Sequence, residues 1–188
     1  MSNDTLYPYA KARQAALALI EQLRPACYHI EIAGSIRRVR PQVHDIDLVA
    51  WPIYHDEVSA NLFGETTQIK SRPDQLLSAL GYTTGQAVAV DVDAKILKTV
   101  SVGIPVEIYL VERDGSNAGA LLQMRTGPAA HNAWLAARAQ RMHLSYRAGY
   151  GIYRLGEDCR FTKRVDDGSE TGIYQALGLP YPQPDQRG

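Results

Sequence analysis

Two carboxylates two residues apart, Asp45 and Asp47, are the pair in this chain best spaced for chemistry. Asp47 lies in an apolar run, Ile46-Asp47-Leu48-Val49-Ala50, that reads as a β-strand. Residues two apart on a strand share a face, so both carboxylates enter one space. Charges that close repel unless a cation sits between them. Mg²⁺ suits such a pair, because it takes hard oxygen ligands and keeps positions for water and phosphate. About ten residues upstream, Gly34-Ser35 ends another alternating run, Ile30-Glu31-Ile32-Ala33. Gly34 lets backbone approach a bulky anion. Ser35 and Arg38 supply a hydroxyl and a cation for phosphate oxygens. Each piece alone has a plainer explanation. Asp-x-Asp recurs in acidic loops, and Gly-Ser at a strand end is commonly a turn. Their order, strand, Gly-Ser, gap, then Asp-x-Asp leading into a second strand, is far more specific.

A site for two divalent ions takes a third acid from a neighbouring strand. Glu107, inside the apolar run at 104–111, is the candidate. Val106 and Ile108 would then face the core, and Glu107 the carboxylates. The plainer alternative is a half-exposed sheet with Glu107 in solvent. Asp91 and Asp93 also lie two apart, but in what reads as a hairpin turn, where Asp serves local geometry.

The arrangement at 34–47 resembles the signature of the nucleotidyltransferase superfamily to which DNA polymerase β belongs. Arg37-Arg38, directly after Gly34-Ser35-Ile36, narrows the resemblance to the family X DNA polymerases. It implies two Mg²⁺ ions, with Mn²⁺ as an alternative, held by Asp45, Asp47 and Glu107. Family members normally carry Asp at the third position, and Glu107 reaches one methylene further. It also implies nucleotide contacts from Gly34, Ser35 and Arg38. Downstream, the family has a Thr-Gly turn followed by a helix bearing an Asn that meets the incoming base. Here Thr126-Gly127 and Asn132 match it, which adds Gly127 and Asn132 to the nucleotide site. Two aromatic residues commonly precede that turn, where this chain has Met124 and Arg125, so sugar discrimination does not carry over. In the family pattern Glu170 pairs with Arg37 and leaves Arg38 for the triphosphate, and Pro184 and Arg187 match the closing tail. His44 replaces a small residue before the first metal Asp. The likeness spans roughly residues 5–187, and it implies a minimal form, expected to lack the lyase and helix-hairpin-helix modules of fuller members. The implied activity is a small DNA polymerase adding nucleotides to a primer 3′-hydroxyl, with gap-filling repair as its setting. The alternative is transfer to a small molecule, a protein or an RNA end. A non-catalytic binding module is a third class, opposed by the three acids.

The elements that must position these groups follow from periodicity. Apolar spacing predicts a helix over 6–24, ended at Pro25, then strands over 28–33 and 45–52. Residues 53–70 give no clear signal. A short helix over 75–80 closes at Gly81, and strands are expected over 86–90, 95–102 and 104–111. Pro105 must sit near its strand's start or on an edge. Helices over 118–124 and 129–142 flank Pro128, hairpins fill 144–164, and a last helix covers 171–177 before an extended proline-rich tail. The fold class expected is α+β, a nucleotidyltransferase palm with a mixed sheet over 1–122 and a small C-terminal nucleotide- and DNA-binding lobe over 123–188.

Composition sets outer bounds. Hydrophobic content of 45% and charged content of 21% fit a globular chain. No apolar run approaches the roughly 20 residues of a membrane helix. There is no secretory leader pattern and no Cys/His group at zinc spacing, so Cys27 and Cys159 are expected reduced in a cytoplasmic protein. A net charge of zero argues against nucleic-acid binding, but residues 115–165 hold 8 bases against 2 acids. Arg125, Arg138, Arg141 and Arg147 in that segment are the expected DNA contacts. The grip would be weak and would fall steeply with salt, on primer–template or gapped DNA. A monomer is expected, with an accessory protein as a way to strengthen the grip.

Overall fold

The computed structural model describes residues 5–60, 66–81, 95–156 and 161–187. A two-residue strand, β1 (Tyr7–Pro8), leads into α1 (Tyr9–Leu23), whose end passes through a 3₁₀ turn containing Pro25. Then follow β2 (Cys27–Ile32), the one-turn helix α2 (Gly34–Arg37), β3 (Gln42–Val43) and β4 (Ile46–Pro52). The stretch without a clear sequence signal forms a hairpin, β5 (His55–Ala60) and β6 (Thr66–Arg72), before α3 (Asp74–Ala79). Next come β7 (Ile96–Ser101), β8 (Ile104–Leu110), α4 (Ala118–Thr126) and α5 (Ala129–Arg141). The chain closes with β9 (Leu144–Arg147), β10 (Gly151–Leu155), β11 (Phe161–Arg164) and α6 (Glu170–Ala176). The expected strand at 86–90 and the turn with Asp91 and Asp93 lie outside the described residues, as does Cys159. Among the described residues Cys27 has no disulfide partner.

The central sheet runs β2-β4-β8-β7. β4 and β8 are parallel and the outer pairs antiparallel, so the sheet is mixed and the class is α+β. Pro105 is the second residue of β8, near its start as expected. Alternation along these strands sets the two faces. Ile46, Leu48 and Ala50 of β4 and Val106, Ile108 and Leu110 of β8 pack under Ala12, Ala16, Leu19, Ile20 and Leu23 of α1. The opposite face carries Val49, Tyr109 and Val111 against Leu121 of α4. A second core joins Ala120 of α4 to Leu135 and Ala139 of α5, Ile152 of β10, and Ile173, Tyr174 and Leu177. Helix α4 thus presents adjacent residues to two cores. It can lie this close to α6 because residue 119 is glycine. A Cβ there would run into the backbone of residues 168–170, and its amide donates to the Gly168 carbonyl at 3.2 Å.

The proline-rich run at 179–183 forms neither helix nor strand, and Gln183 is extended at φ −59°, ψ 152°. Pro184–Gln186 makes a 3₁₀ turn, and Arg187 is fully buried. The reason is the carboxylate it meets, described below.

Candidate functional site

The parallel pairing of β4 and β8 puts Asp47 directly across from Glu107. Both alternate with core residues, so both stand on the sheet face away from α1. Asp45 precedes β4 on the same side, close enough for its charge to bear on Asp47. The three acids that the sequence singled out are therefore neighbours. Burial pushes the Asp47 carboxyl up to about 7, and the charges of Asp45 and Glu107 add to the rise. Asp45 is raised as well, by burial and then by Glu107, with His44 opposing.

Glu107 behaves differently. Burial would raise its carboxyl, but hydrogen bonds from Lys98 and Tyr109 outweigh it and hold it below its ordinary value. Lys98 Nζ donates to Oε1 at 2.7 Å, and the Tyr109 hydroxyl donates to Oε2. Among the described residues, no three Asp, Glu, His or Cys side chains are arranged to grip one ion as they stand. The donor set still fits a divalent cation in its chemistry. It consists of hard oxygens, crowded and partly desolvated, that a cation would relieve.

Gly34 shapes this corner. Its φ is +58°, and a Cβ there would overlap the Asp47 carboxylate. The backbone of α2 therefore rests against the acid, anchored by the Ala33 amide donating to the Asp47 carbonyl at 2.8 Å. We expect Gly34→Ala to lose about 1–3 kcal/mol of stability, from the left-handed backbone and the overlap together. It should also displace Asp47, cutting activity by about tenfold or more, as steady-state kinetics and thermal melts would read.

Ser35 is half-buried beside Gly34. Arg38 donates through Nη1 to the Thr126 carbonyl, and its Nε is buried without a hydrogen-bond partner among the described residues. The Arg125 guanidinium lies over the Tyr109 ring, 3.6 Å from its centroid, and its charge reaches Asp47 and Glu107. Its Nε is likewise buried without a partner. Two arginines with an unmet donor beside a carboxylate cluster form a setting for an anion that arrives with its own cations.

The remaining expected residues occupy several settings. Gly127 closes α4, and a Cβ on it would press the Asn132 side chain. Asn132 donates from Nδ2 to the Met124 carbonyl at 2.8 Å and accepts from Gln123 at 3.0 Å, so it ties the α4–α5 turn together. Arg138 donates to the Leu177 carbonyl at 3.1 Å and pins α5 to α6. Arg141 is exposed at the end of α5, and Arg147 is exposed on β9 with its guanidinium 4.4 Å from the Tyr150 ring centroid. The four expected DNA-binding arginines do not share one environment.

The expected pairing of Glu170 with Arg37 is present and two-pronged. Arg37 Nη1 and Nη2 each reach a Glu170 oxygen at 2.7 Å, and Nη1 also donates to Thr126 Oγ1 at 2.8 Å. Arg187 adds a third cationic bond to Glu170 at 2.6 Å, and the Tyr181 hydroxyl a fourth contact at 2.8 Å. Burial would raise the Glu170 carboxyl, but Arg37 and Arg187 overcome this and lower it. Ser169 caps α6 by accepting from the Gly172 amide at 2.9 Å, which fixes Glu170 in its first turn. Sequence reasoning missed Tyr109 and Lys98. Tyr109 was within reach, since it lies two residues past Glu107 and must share its face. Lys98 required the β7–β8 register, which no motif encodes.

Residues 121–188 match the DNA polymerase beta thumb family model. Among solved structures, the chain is similar to polymerase beta of Leishmania infantum, crystallised as a ternary P/T complex. That match has a TM-score of 0.66 at 19% identity, covering 99% of this chain and 78% of the other. No curated protein matches the sequence. The fold is similar to that of polymerase beta. No helix among the described residues is long and apolar enough to cross a membrane.

Proposed function

We propose that this chain, polymerase-β-like in fold, is a nucleotidyltransferase that adds nucleotides to a primer 3′-hydroxyl on DNA, as in filling short gaps during repair. The observation that carries the proposal is the register of Asp47 against Glu107, with Asp45 alongside and Arg38 and Arg125 at the rim. Residues 1–122 act as the palm and 123–188 as the nucleotide- and DNA-binding lobe. Asp45, Asp47 and Glu107 are the residues that would hold two Mg²⁺ or Mn²⁺ ions. When bound, the ions supply charge neutralisation at the triphosphate and lower the pKa of the attacking hydroxyl. Gly34 and Ser35 seat the triphosphate, and Arg38 orients it by charge-assisted hydrogen bonds. Gly127 and Asn132 border the sugar and base. Glu107 takes part in removing the 3′-hydroxyl proton. The new bond joins that oxygen to the α-phosphorus, and the bond to the β-phosphate oxygen breaks as pyrophosphate leaves in line.

Arg125, Arg141 and Arg147 would meet template or primer phosphates. With so few cations in play, DNA affinity is weak and strongly salt-dependent, and an accessory protein would strengthen it. The protein works as a monomer in the cytoplasm. One observation favours the second reading, an acceptor other than DNA: Arg138 is committed to the Leu177 carbonyl in a chain with no net charge.

A primer-extension assay on one-nucleotide-gapped DNA, with Mg²⁺ and each dNTP or rNTP, separates these readings. Templated addition supports the first. Labelling of another acceptor, with no extension of DNA, supports the second. Triphosphate binding without transfer overturns both.

A further inference from the structure

We infer that Lys98 is a resident counter-ion for Glu107, and that it competes with the divalent ion this carboxylate would take. The inference rests on the proposed metal-dependent function. It places the effect of the ammonium at the Glu107 position, the more weakly held because that carboxylate is already engaged by Lys98 and Tyr109.

Three observations support it. Lys98 is the direct cross-strand partner of Glu107 in the antiparallel β7–β8 register, so the two side chains share a face. Lys98 Nζ holds one Glu107 oxygen while the Tyr109 hydroxyl holds the other, so both oxygens are engaged. Among the described residues, no three-ligand cluster is preformed, although Asp47 and Glu107 stand opposite one another. The third acid is in place and is tied back by neighbours.

The tie is of a kind that can be released. The Lys98 side chain is 63% exposed, and its flexible stem can swing the ammonium into water. An exposed ion pair of this sort is weak, because solvent screens it and side-chain entropy opposes it. A doubly charged ion attracts the carboxylate more strongly at the same separation. The expected competition is therefore modest. Removing the ammonium should tighten the weaker ion class by about three- to tenfold. Glu107 reaches one methylene further than Asp would, which suits a carboxylate that must serve both Lys98 and an ion.

The test is Mn²⁺ titration of the full chain, followed by the paramagnetic resonance of free Mn²⁺, with a non-hydrolysable nucleoside triphosphate present. Wild type, Lys98→Met, Lys98→Gln, Lys98→Arg and Asp47→Asn are compared, with thermal melts confirming the fold. The expected result is two affinity classes in wild type. Both neutral variants tighten the weaker class and leave the tighter one unchanged, and Lys98→Arg stays near wild type. A weaker class that is unchanged or loosened in both neutral variants overturns the inference while the metal site stands. Mn²⁺ binding that ignores Asp47→Asn overturns the inference together with the proposed function.

Discussion

Asp47→Asn is expected to abolish nucleotide addition and, at the same time, to make the metal-free protein more stable. Loss of activity follows because Asp47 is the central member of the carboxylate group, directly across from Glu107 and beside Asp45. We expect turnover to fall by about 10³-fold or more. The gain in stability follows from linkage. Burial, with the charges of Asp45 and Glu107, pushes the folded carboxyl up to about 7 from its ordinary 3.8, so between these values the folded state holds a proton that the unfolded state has lost. Between those two values the metal-free protein loses stability as pH rises, and above about 7 the full cost is present. A shift of this size corresponds to at most about 4 kcal/mol, and a neutral isostere should recover about 1–3 kcal/mol of it. Melts in EDTA at pH 8 should rise by several degrees, and the gain should vanish near pH 4. A variant that melts lower than wild type in EDTA, or that retains turnover, would contradict this account of the site.

Glu170→Ala is expected to cost about 3–5 kcal/mol, the largest loss of stability of any single change considered. Glu170 takes both prongs of Arg37, a bond from Arg187 and the Tyr181 hydroxyl, joining α2, α6 and the tail at one point. Removing it strands Arg187, whose side chain has no exposure to solvent, as an unpaired buried charge. Arg187→Met in the Glu170→Ala background should restore part of the loss, a coupling that denaturant titration can measure. The pH dependence runs opposite to that of Asp47. The folded Glu170 carboxyl lies below its unfolded value, so its contribution is full above about 4.5 and is lost as pH falls through the folded value. The wild-type protein should therefore weaken in mild acid more than Glu170→Ala does. A loss below about 1 kcal/mol would show that the cluster is ornamental.

How much of this was legible beforehand depends on whether the signal was local. The parity of β4 and β8 is a local fact. Alternation alone put Asp47 and Glu107 opposite the core residues Leu48 and Ile108, and the structure agrees. Helix α1 follows from its apolar spacing and the nearby Pro25, and α5 from its alanine-rich run behind Pro128. The hairpin of β5 and β6 was not legible, because its stability depends on cross-strand pairing and its sequence has no strong turn pair. Nor was the double tie on Glu107, since Lys98 becomes its neighbour only once β7 pairs with β8. Asn132 shows a different limit. A residue quoted for its likeness to a nucleotide contact is also the side chain that holds its own turn together. The buried Arg187 was quoted only as part of a tail, because sequence carries no record of the three-way charge cluster that draws it inward.

The most direct test of the central claim is a crystal structure with Mn²⁺ and a non-hydrolysable deoxynucleoside triphosphate, read by anomalous scattering. The account predicts one manganese peak between the Asp45 and Asp47 carboxylates and the triphosphate, and a second against Glu107 with Lys98 swung away. A nucleotide bound elsewhere, or no manganese at this group of acids, would contradict it.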